Sequence, residues 1–347
     1  MDWHCACYVG VFEREISMDT STSYMGLRLS HPFVAGASPL GAHLDTAKRL
    51  EDAGWAAIVL PSLFEEQITL ESTGRIRHMD PLNPAFSDQL APFPKADEYF
   101  HGPAEYLEHL RKVKDAVAVP VIGSLNGTTA ESWLRVAKSI EQAGADGLEL
   151  NIYEVVTNLD IPGVAVEQQL QDVVVELKRL LRIPLAVKLS PFFTAFGHTA
   201  RELDRNGADA LVLFNRFYQP DIDVRQMSVT TNLELSRSGE LPLRLRWLAI
   251  LHGRVRASLI ATGGVETPTD GIKALLAGAH AVQMASAILR HGPGYFKMMY
   301  DALVEWLEWF HIPTVEELRG RVSAANVPDP SAFERANYIR TLQSWGR

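Results

Sequence analysis

The sequence predicts an α/β fold, a closed (β/α)8 TIM barrel, on three observations. From Pro32 onward, short β-branched or apolar runs alternate with amphipathic helical patterns. Almost every helical stretch closes on Ala-Gly or Gly-Ala before the next apolar run, where a helix needs a left-handed stop. The apolar runs are also too uniformly hydrophobic to leave one face in water, as expected of a parallel sheet covered by helices. An open doubly wound sheet fits less well, because no Gly-x-Gly-x-x-Gly follows the first strand, where a dinucleotide site requires it.

The strands read in order are "FVAG" (33–36), "AAIVL" (56–60), "VPVIGSL" (119–125), "GLELN" (147–151), "LAVKLS" (185–190), "ALVLF" (210–214), "SLIATG" (258–263) and "AVQMA" (281–285). The intervening helices include "LDTAKRLEDAG", "AESWLRVAKSIEQAG", "VEQQLQDVVVELKRLL", "TARELDRNG" and "PTDGIKALLAG", with Gly54, Gly144, Gly207 and Gly278 as stops. Three segments exceed the minimal repeat. Residues 62–100 follow the second strand and residues 215–241 the sixth, on the face where barrel enzymes place their sites, so loop insertions there are expected to wall the site. The third is a C-terminal helical extension whose helices are expected to open on Thr314 and Ser331. The organisation is therefore an N-terminal extension (1–23), a barrel (24–310) and a C-terminal helical extension (311–347).

The 347 residues carry 33 Lys and Arg against 42 Asp and Glu, a net charge of −9, dispersed without a basic stripe. That argues against nucleic acid as a partner. No apolar run reaches the roughly 20 residues that span a bilayer, so no membrane is expected. The only cysteines are Cys5 and Cys7, too few for a disulfide framework or a complete metal site. The first 17 residues hold Glu13, Arg14 and Glu15 and lack the charged-then-apolar order of a leader, with Met18 as an alternative start. A cytoplasmic protein is expected.

In a barrel, the C-terminal strand ends converge on one cavity. The polar and small residues there are Ser38, Asn126, Asn151, Glu154, Lys188, Asn215, Arg216, Gly263, Gly264, Ala285 and Ser286. Gly263-Gly264 after the seventh strand and Ala285-Ser286 after the eighth let backbone N–H groups approach an anion, so a phosphate cradle is expected. Lys188 sits between Val187 and Leu189 in a central strand, where a lysine is costly without a polar or anionic partner. Two roles stay open for it: a Schiff-base nucleophile of a lyase acting on a phosphorylated substrate, or a cation held against an electron-accepting cofactor. Asn126, Asn151 and Asn215 around it favour recognition of a flat ring rich in heteroatoms.

With "MGLRLSHPFVAGASPLG", "GLELN", "PLAVKLSP", "LVLFN" and "IATGGVETPTDGIKALLAGAHAVQMASAIL" in this order, the chain from about Tyr24 to Phe310 resembles the dihydroorotate dehydrogenase family, particularly its soluble class 1 branch of FMN-containing barrels. The resemblance implies an FMN-dependent oxidoreductase that passes hydride from dihydroorotate, or a related CH–CH substrate, to flavin. It implies FMN contacts at Ala37, Ser38, Asn126, Asn151, Lys188 and Asn215, and phosphate contacts at Gly263, Gly264, Ala285 and Ser286, with no metal. A homodimer and an electron-acceptor protein are the implied partners. A cation beside the isoalloxazine stabilises the reduced, anionic ring.

Two positions depart from the family pattern. Where members carry a lysine at the end of the second strand, this chain has Pro61 and Ser62. Where members have Asn-x-Ser-Cys-Pro-Asn, whose Cys or Ser takes a proton from substrate, it reads "NIYEVVTN", which keeps Asn151 and puts Glu154 at the place of the base. A carboxylate partly desolvated in a closed pocket suits that role. A flavin-binding subunit without catalysis is the third alternative. Tyr153 is a lesser acid–base candidate, His198 lies where it can reach the pocket, and Arg216, Tyr218, Arg77 and Asn83 are lesser candidates for substrate contacts.

Overall fold

The computed structural model describes residues 18–64, 67, 102–126, 130–152, 154–216, 219–231, 233–334 and 337–344. Eight parallel strands close into a barrel: β3 (Phe33–Ala35), β4 (Ile58–Phe64), β5 (Val121–Asn126), β6 (Gly147–Asn151), β7 (Leu185–Leu189), β8 (Ala210–Leu213), β11 (Ser258–Thr262) and β12 (Ala281–Met284). They pair in chain order, and β12 returns to β3 to complete the ring. Seven of the eight end within one residue of the sequence expectation. The exception is β4, which continues through Pro61 to Phe64. A register shift between Val59 and Ser62 inserts one extra residue opposite β5, and a proline with no N–H to offer is tolerated at such a bulge.

Helices α1 (Leu44–Asp52), α2 (Pro103–Ala116), α3 (Ala130–Gln142), α4 (Gly163–Leu180), α5 (Phe196–Arg205), α6 (Leu241–Leu251), α7 (Pro268–Ala277), α8 (Ser286–His291) and α9 (Tyr295–Trp309) follow the barrel strands. Their apolar faces and the outward sides of the strands form one continuous core. A second, smaller core fills the lumen with Val34, Val59, Ile122, Ala186, Ala210, Val212, Ile260 and Ala281. Its floor is an antiparallel hairpin of β1 (Thr22–Tyr24) and β2 (Leu27–Leu29), turned at Met25 and Gly26 with φ of 44° and 84°. The Met25 N–H donates to Ser258 Oγ at 3.2 Å, and its side chain reaches so close to Gly147 that a Cβ there would lie 2.5 Å from the methionine methyl.

The insertion after β8 contains a second hairpin, β9 (Pro220–Asp223) with β10 (Ser228–Thr231). Apart from Gln67 the segment after β4 up to residue 101, including Arg77 and Asn83, lies outside the described residues. At the C-terminal end, Thr314 caps α10 (Val315–Leu318), accepting from the Glu317 N–H. The helix expected to open on Ser331 is instead a 3-10 turn, Pro330–Phe333, capped by Asp329, with α11 (Asn337–Gln343) following. Asp329 wins because its carboxylate accepts from the Ser331 N–H, satisfying the donor that opens the turn.

His31 anchors the entry to β3. Its Nδ1 accepts from the Phe33 N–H at 3.2 Å, so Nε2 carries the proton and donates to the Gly54 carbonyl at 2.7 Å. Burial holds this neutral ring down at about pKa 4, and burial, with smaller contributions from Arg319 and His252, holds His280 at about 3. Both groups therefore titrate lower in the folded chain than in the unfolded one. Below pH 6.5 the unfolded state takes up protons that the folded state refuses, so stability is expected to fall from pH 6.5 toward 4, by at most about 1.4 kcal/mol per pH unit for each ring. Urea midpoints across that range check this, and His31→Gln should flatten the slope.

The helix stops Gly54, Gly144, Gly207 and Gly278 have φ of 106°, 95°, 97° and 125°. At Gly144 an added Cβ meets nothing within 4 Å, whereas at Gly278 it would lie 2.6 Å from His252 Cβ. Gly144→Ala is therefore expected to cost about 1–2 kcal/mol of backbone strain, and Gly278→Ala roughly 1–3 kcal/mol more from overlap. Urea unfolding of the two variants separates the contributions.

Candidate active site

Parallel registration brings the candidate residues together. Asn126 on β5, Asn151 on β6 and Lys188 on β7 are direct cross-strand partners, so all three side chains project to the same side at the same height, the last turn of the lumen. The Asn215 amide, from the end of β8, donates to Asn151 Oδ1. Asn151 in turn donates to Ser62 Oγ at 3.3 Å, and Ser62 pairs with Ser124 Oγ at 2.7 Å. Ser62 joins the network because the β4 bulge carries the strand past Pro61.

One layer deeper lies a residue that the sequence argument passed over. Glu149 is fully buried, and its Oε1 accepts from Lys188 Nζ at 3.2 Å. Its Oε2 accepts from Gln283 Nε2 at 2.6 Å, and the same amide donates to the Tyr24 hydroxyl at 3.1 Å. Burial, and secondarily the Glu149 charge, push the Tyr24 phenol well above its ordinary range. A polar chain thus runs up the barrel axis from the floor hairpin through Gln283 and Glu149 to the Lys188 ammonium. Glu149 was legible in principle: it stands two residues before Asn151 on one strand and so shares its face. Tyr24 was not, since nothing local places the hairpin beneath the barrel.

Across the mouth, Gly263 and Gly264 both take left-handed conformations, with φ of 76° and 80°. A Cβ on Gly263 would lie 2.9 Å from an Arg244 guanidinium nitrogen, and one on Gly264 would lie 2.6 Å from the Leu241 backbone nitrogen. The two glycines therefore also admit α6 to the strand ends. Among the described residues, the N–H groups of Gly263, Gly264 and Ala285 enter no turn or loop hydrogen bond with the backbone. Ser286 Oγ accepts from both the N–H and the hydroxyl of Ser236, at 3.1 and 2.9 Å. Arg290 holds that loop through the Leu235 and Ser236 carbonyls, both at 2.8 Å. Ser236 and Arg290 were missed because they come from the insertion and from inside a helix. Ala37 and Ser38 stand at the end of β3, where Ser38 is buried and its side chain makes no capping bond.

Glu154 does not join this cluster. It is exposed and lines a cleft of about 610 Å3 with Trp133, Leu159, Phe192 and Phe193, outside the lumen. The desolvation on which its selection as a base rested is not present: Glu154 is exposed, two residues beyond Ile152, whose N–H still donates to the Lys188 carbonyl at 2.9 Å. His198 lies within the first turn of α5, against Arg201 at 3.5 Å. Arg216 approaches Glu240 at 3.8 Å. Tyr153 and Tyr218 lie outside the described residues.

This arrangement suits an extended ligand with an anionic end. Lys188 and three amides offer a cation and paired donors and acceptors on one side, and on the other lie the left-handed Gly263 and Gly264, whose N–H groups, among the described residues, enter no turn or loop bond with the backbone. The residues fit FMN in both respects. The fold and site define an enzyme barrel with its chemistry at the C-terminal strand ends.

Comparison with known proteins narrows the class. The family model for dihydroorotate dehydrogenase matches residues 100–307, more than half of the chain, and the chain belongs to that family. It is 27% identical over 310 residues to the dihydroorotate dehydrogenase B (NAD(+)) catalytic subunit of Thermoplasma volcanium, covering 87% of this chain and 98% of the relative. It is 25% identical over 329 residues to the NAD-dependent dihydropyrimidine dehydrogenase subunit PreA of Escherichia coli, covering 90% and 79%. With the chloroplastic dihydropyrimidine dehydrogenase (NADP(+)) of Arabidopsis thaliana it shares 24% over 334 residues, covering 88% and 77%. The chain is an oxidoreductase acting on CH–CH bonds, in a family of flavoproteins. Among the described residues, no helix is long and apolar enough to cross a membrane, and no group of three or more His, Cys, Asp or Glu is placed to hold a metal.

Removing one partner of a buried ion pair strands the other. Lys188→Met is expected to cost roughly 3 kcal/mol in the chain without cofactor, and Lys188→Met combined with Glu149→Gln to recover most of it. Chemical denaturation of the two variants checks this.

Proposed function

We propose that the chain is an FMN-dependent dehydrogenase that oxidises the ring CH–CH bond of dihydroorotate or a closely related dihydropyrimidine. The observation that carries this is the buried Lys188, level with Asn126 and Asn151 at the barrel mouth, where Asn215 donates to Asn151. In this proposal those four side chains hold the ring of FMN, Ala37 and Ser38 line the middle, and Gly263, Gly264, Ala285 and Ser286 hold the phosphate through backbone N–H groups. Bound there, FMN supplies the hydride acceptor. Lys188 places its positive charge where the ring gains negative charge, and the asparagines orient the ring by donating and accepting in its plane.

Substrate must also lose a proton. Glu154 is proposed as the acceptor from its place in the chain, and its exposure requires the 154–161 loop to fold inward over substrate. If so, Glu154→Gln should lower kcat on the true substrate at least a hundredfold; unchanged turnover removes the assignment. The relatives' names bear on partners, since both the dihydroorotate and the dihydropyrimidine enzymes include chains described as subunits. They support an electron-acceptor protein as partner, while a homodimer as the working assembly is proposed from the family resemblance alone.

A second substrate reading has its own support. Where the family carries a lysine after the second strand, Ser62 presents a hydroxyl tied to Ser124 and Asn151. An uncharged pocket wall favours a neutral dihydropyrimidine ring over one bearing a carboxylate. The test is the visible spectrum of the purified protein, followed by anaerobic addition of dihydroorotate and, separately, of a neutral dihydropyrimidine. A yellow protein bleached by one of the two is expected, and the one that bleaches it names the substrate. Failure to take up FMN after reconstitution overturns the cofactor assignment.

A further inference from the structure

We propose that Glu149 sets the effective charge of Lys188, and through it the reduction potential of the flavin; this rests on the FMN-binding reading of the site. Glu149 is the carboxylate partner of Lys188 among the described residues, at 3.2 Å, and it has no exposure to solvent. Register puts Glu149 one layer below the Lys188 backbone: Glu149 pairs across with Ala186, while Lys188 pairs with Asn151. The carboxylate is tied through Gln283 to Tyr24 of the floor hairpin, at the end of the lumen away from the mouth. It offsets the cation without competing for the face that a ring would meet.

The carboxylate is also held fast. Gln283 Nε2 donates to its second oxygen at 2.6 Å and to Tyr24 at 3.1 Å, and the Gln283 side-chain oxygen is buried with no hydrogen-bond partner among the described residues. The amide thus commits its N–H groups to this support at the expense of its own acceptor. Both carboxylate oxygens receive donors, the pattern a carboxylate anion accepts. Two opposite charges this close in a poorly polarisable interior are strongly coupled. A ring above Lys188 meets a partly compensated cation, and removing the negative charge exposes the full one. Glu149 is then a positioning residue that tunes the cofactor without touching it.

The experiment is the midpoint potential of bound FMN, by anaerobic reductive titration against a reference dye, in the wild-type chain and three variants with FMN in excess. Glu149→Gln is expected to shift the reduction equilibrium at least tenfold toward reduced flavin, about 30 mV for a two-electron couple. Lys188→Met should shift it in the opposite direction, and Glu149→Gln/Lys188→Met should return it close to wild type. A Glu149→Gln potential within threefold of wild type overturns the inference. Should that variant not fold or load, the comparison of Lys188→Met with the double variant decides: the same tenfold rise supports the proposal, and no rise overturns it. A wild-type chain that takes up no FMN overturns the functional reading together with the inference, whereas a loaded wild type with an unmoved variant overturns the inference alone.

Discussion

A lysine and a glutamate can occupy the lumen of a closed parallel barrel only as a pair. Unlike an open sheet, the barrel has no edge by which a long side chain escapes to water, so each charge must find its partner inside. Lys188 and Glu149 do so across adjacent strands, and the rest of the lumen is arranged around them. Ala186, Ala210 and Ala281 leave the room, Gln283 braces the carboxylate, and Tyr24 rises from the floor hairpin to meet Gln283. The floor is thus mechanically continuous with the mouth. An N-terminal hairpin far from any ligand helps to orient the group that would face it.

The opposite rim is governed by close approach. Gly264 allows the start of α6 to lie against the end of β11, and the neighbouring Gly263 admits the Arg244 guanidinium. Arg244 donates to the Thr262 and Glu240 carbonyls, tying helix to strand, and burial lowers its pKa. The small residues needed for an anion to approach the backbone are therefore the same ones needed for the helix to close the barrel. That double duty explains why the Gly-Gly signal is strong in the sequence, and why by itself it does not separate a ligand cradle from a packing requirement.

Much of the architecture was legible because it rests on local chemistry. The alternation of apolar runs and amphipathic stretches, punctuated by Gly54, Gly144, Gly207 and Gly278, specifies eight βα units, and all four glycines adopt the conformation that only glycine takes without strain. The exception on β4 is instructive. Pro61 looks like a strand terminator in isolation, and only the pairing with β5 shows that a bulge absorbs it and carries Ser62 into the site.

The sequence by itself determined the barrel, the strand-end positions of Asn126, Asn151, Lys188 and Asn215, and the family pattern they belong to, since strand periodicity and chain order are one-dimensional properties. Only the tertiary structure decided which groups satisfy those residues. The pairing of Lys188 with Glu149, the bracing by Gln283 and Tyr24, the seating of Ser236 on Ser286, and the exposure of Glu154 all depend on register between strands distant in sequence and on the path of a loop. A buried charge requires some partner by its chemistry alone; which partner it finds is settled by the closure of the barrel.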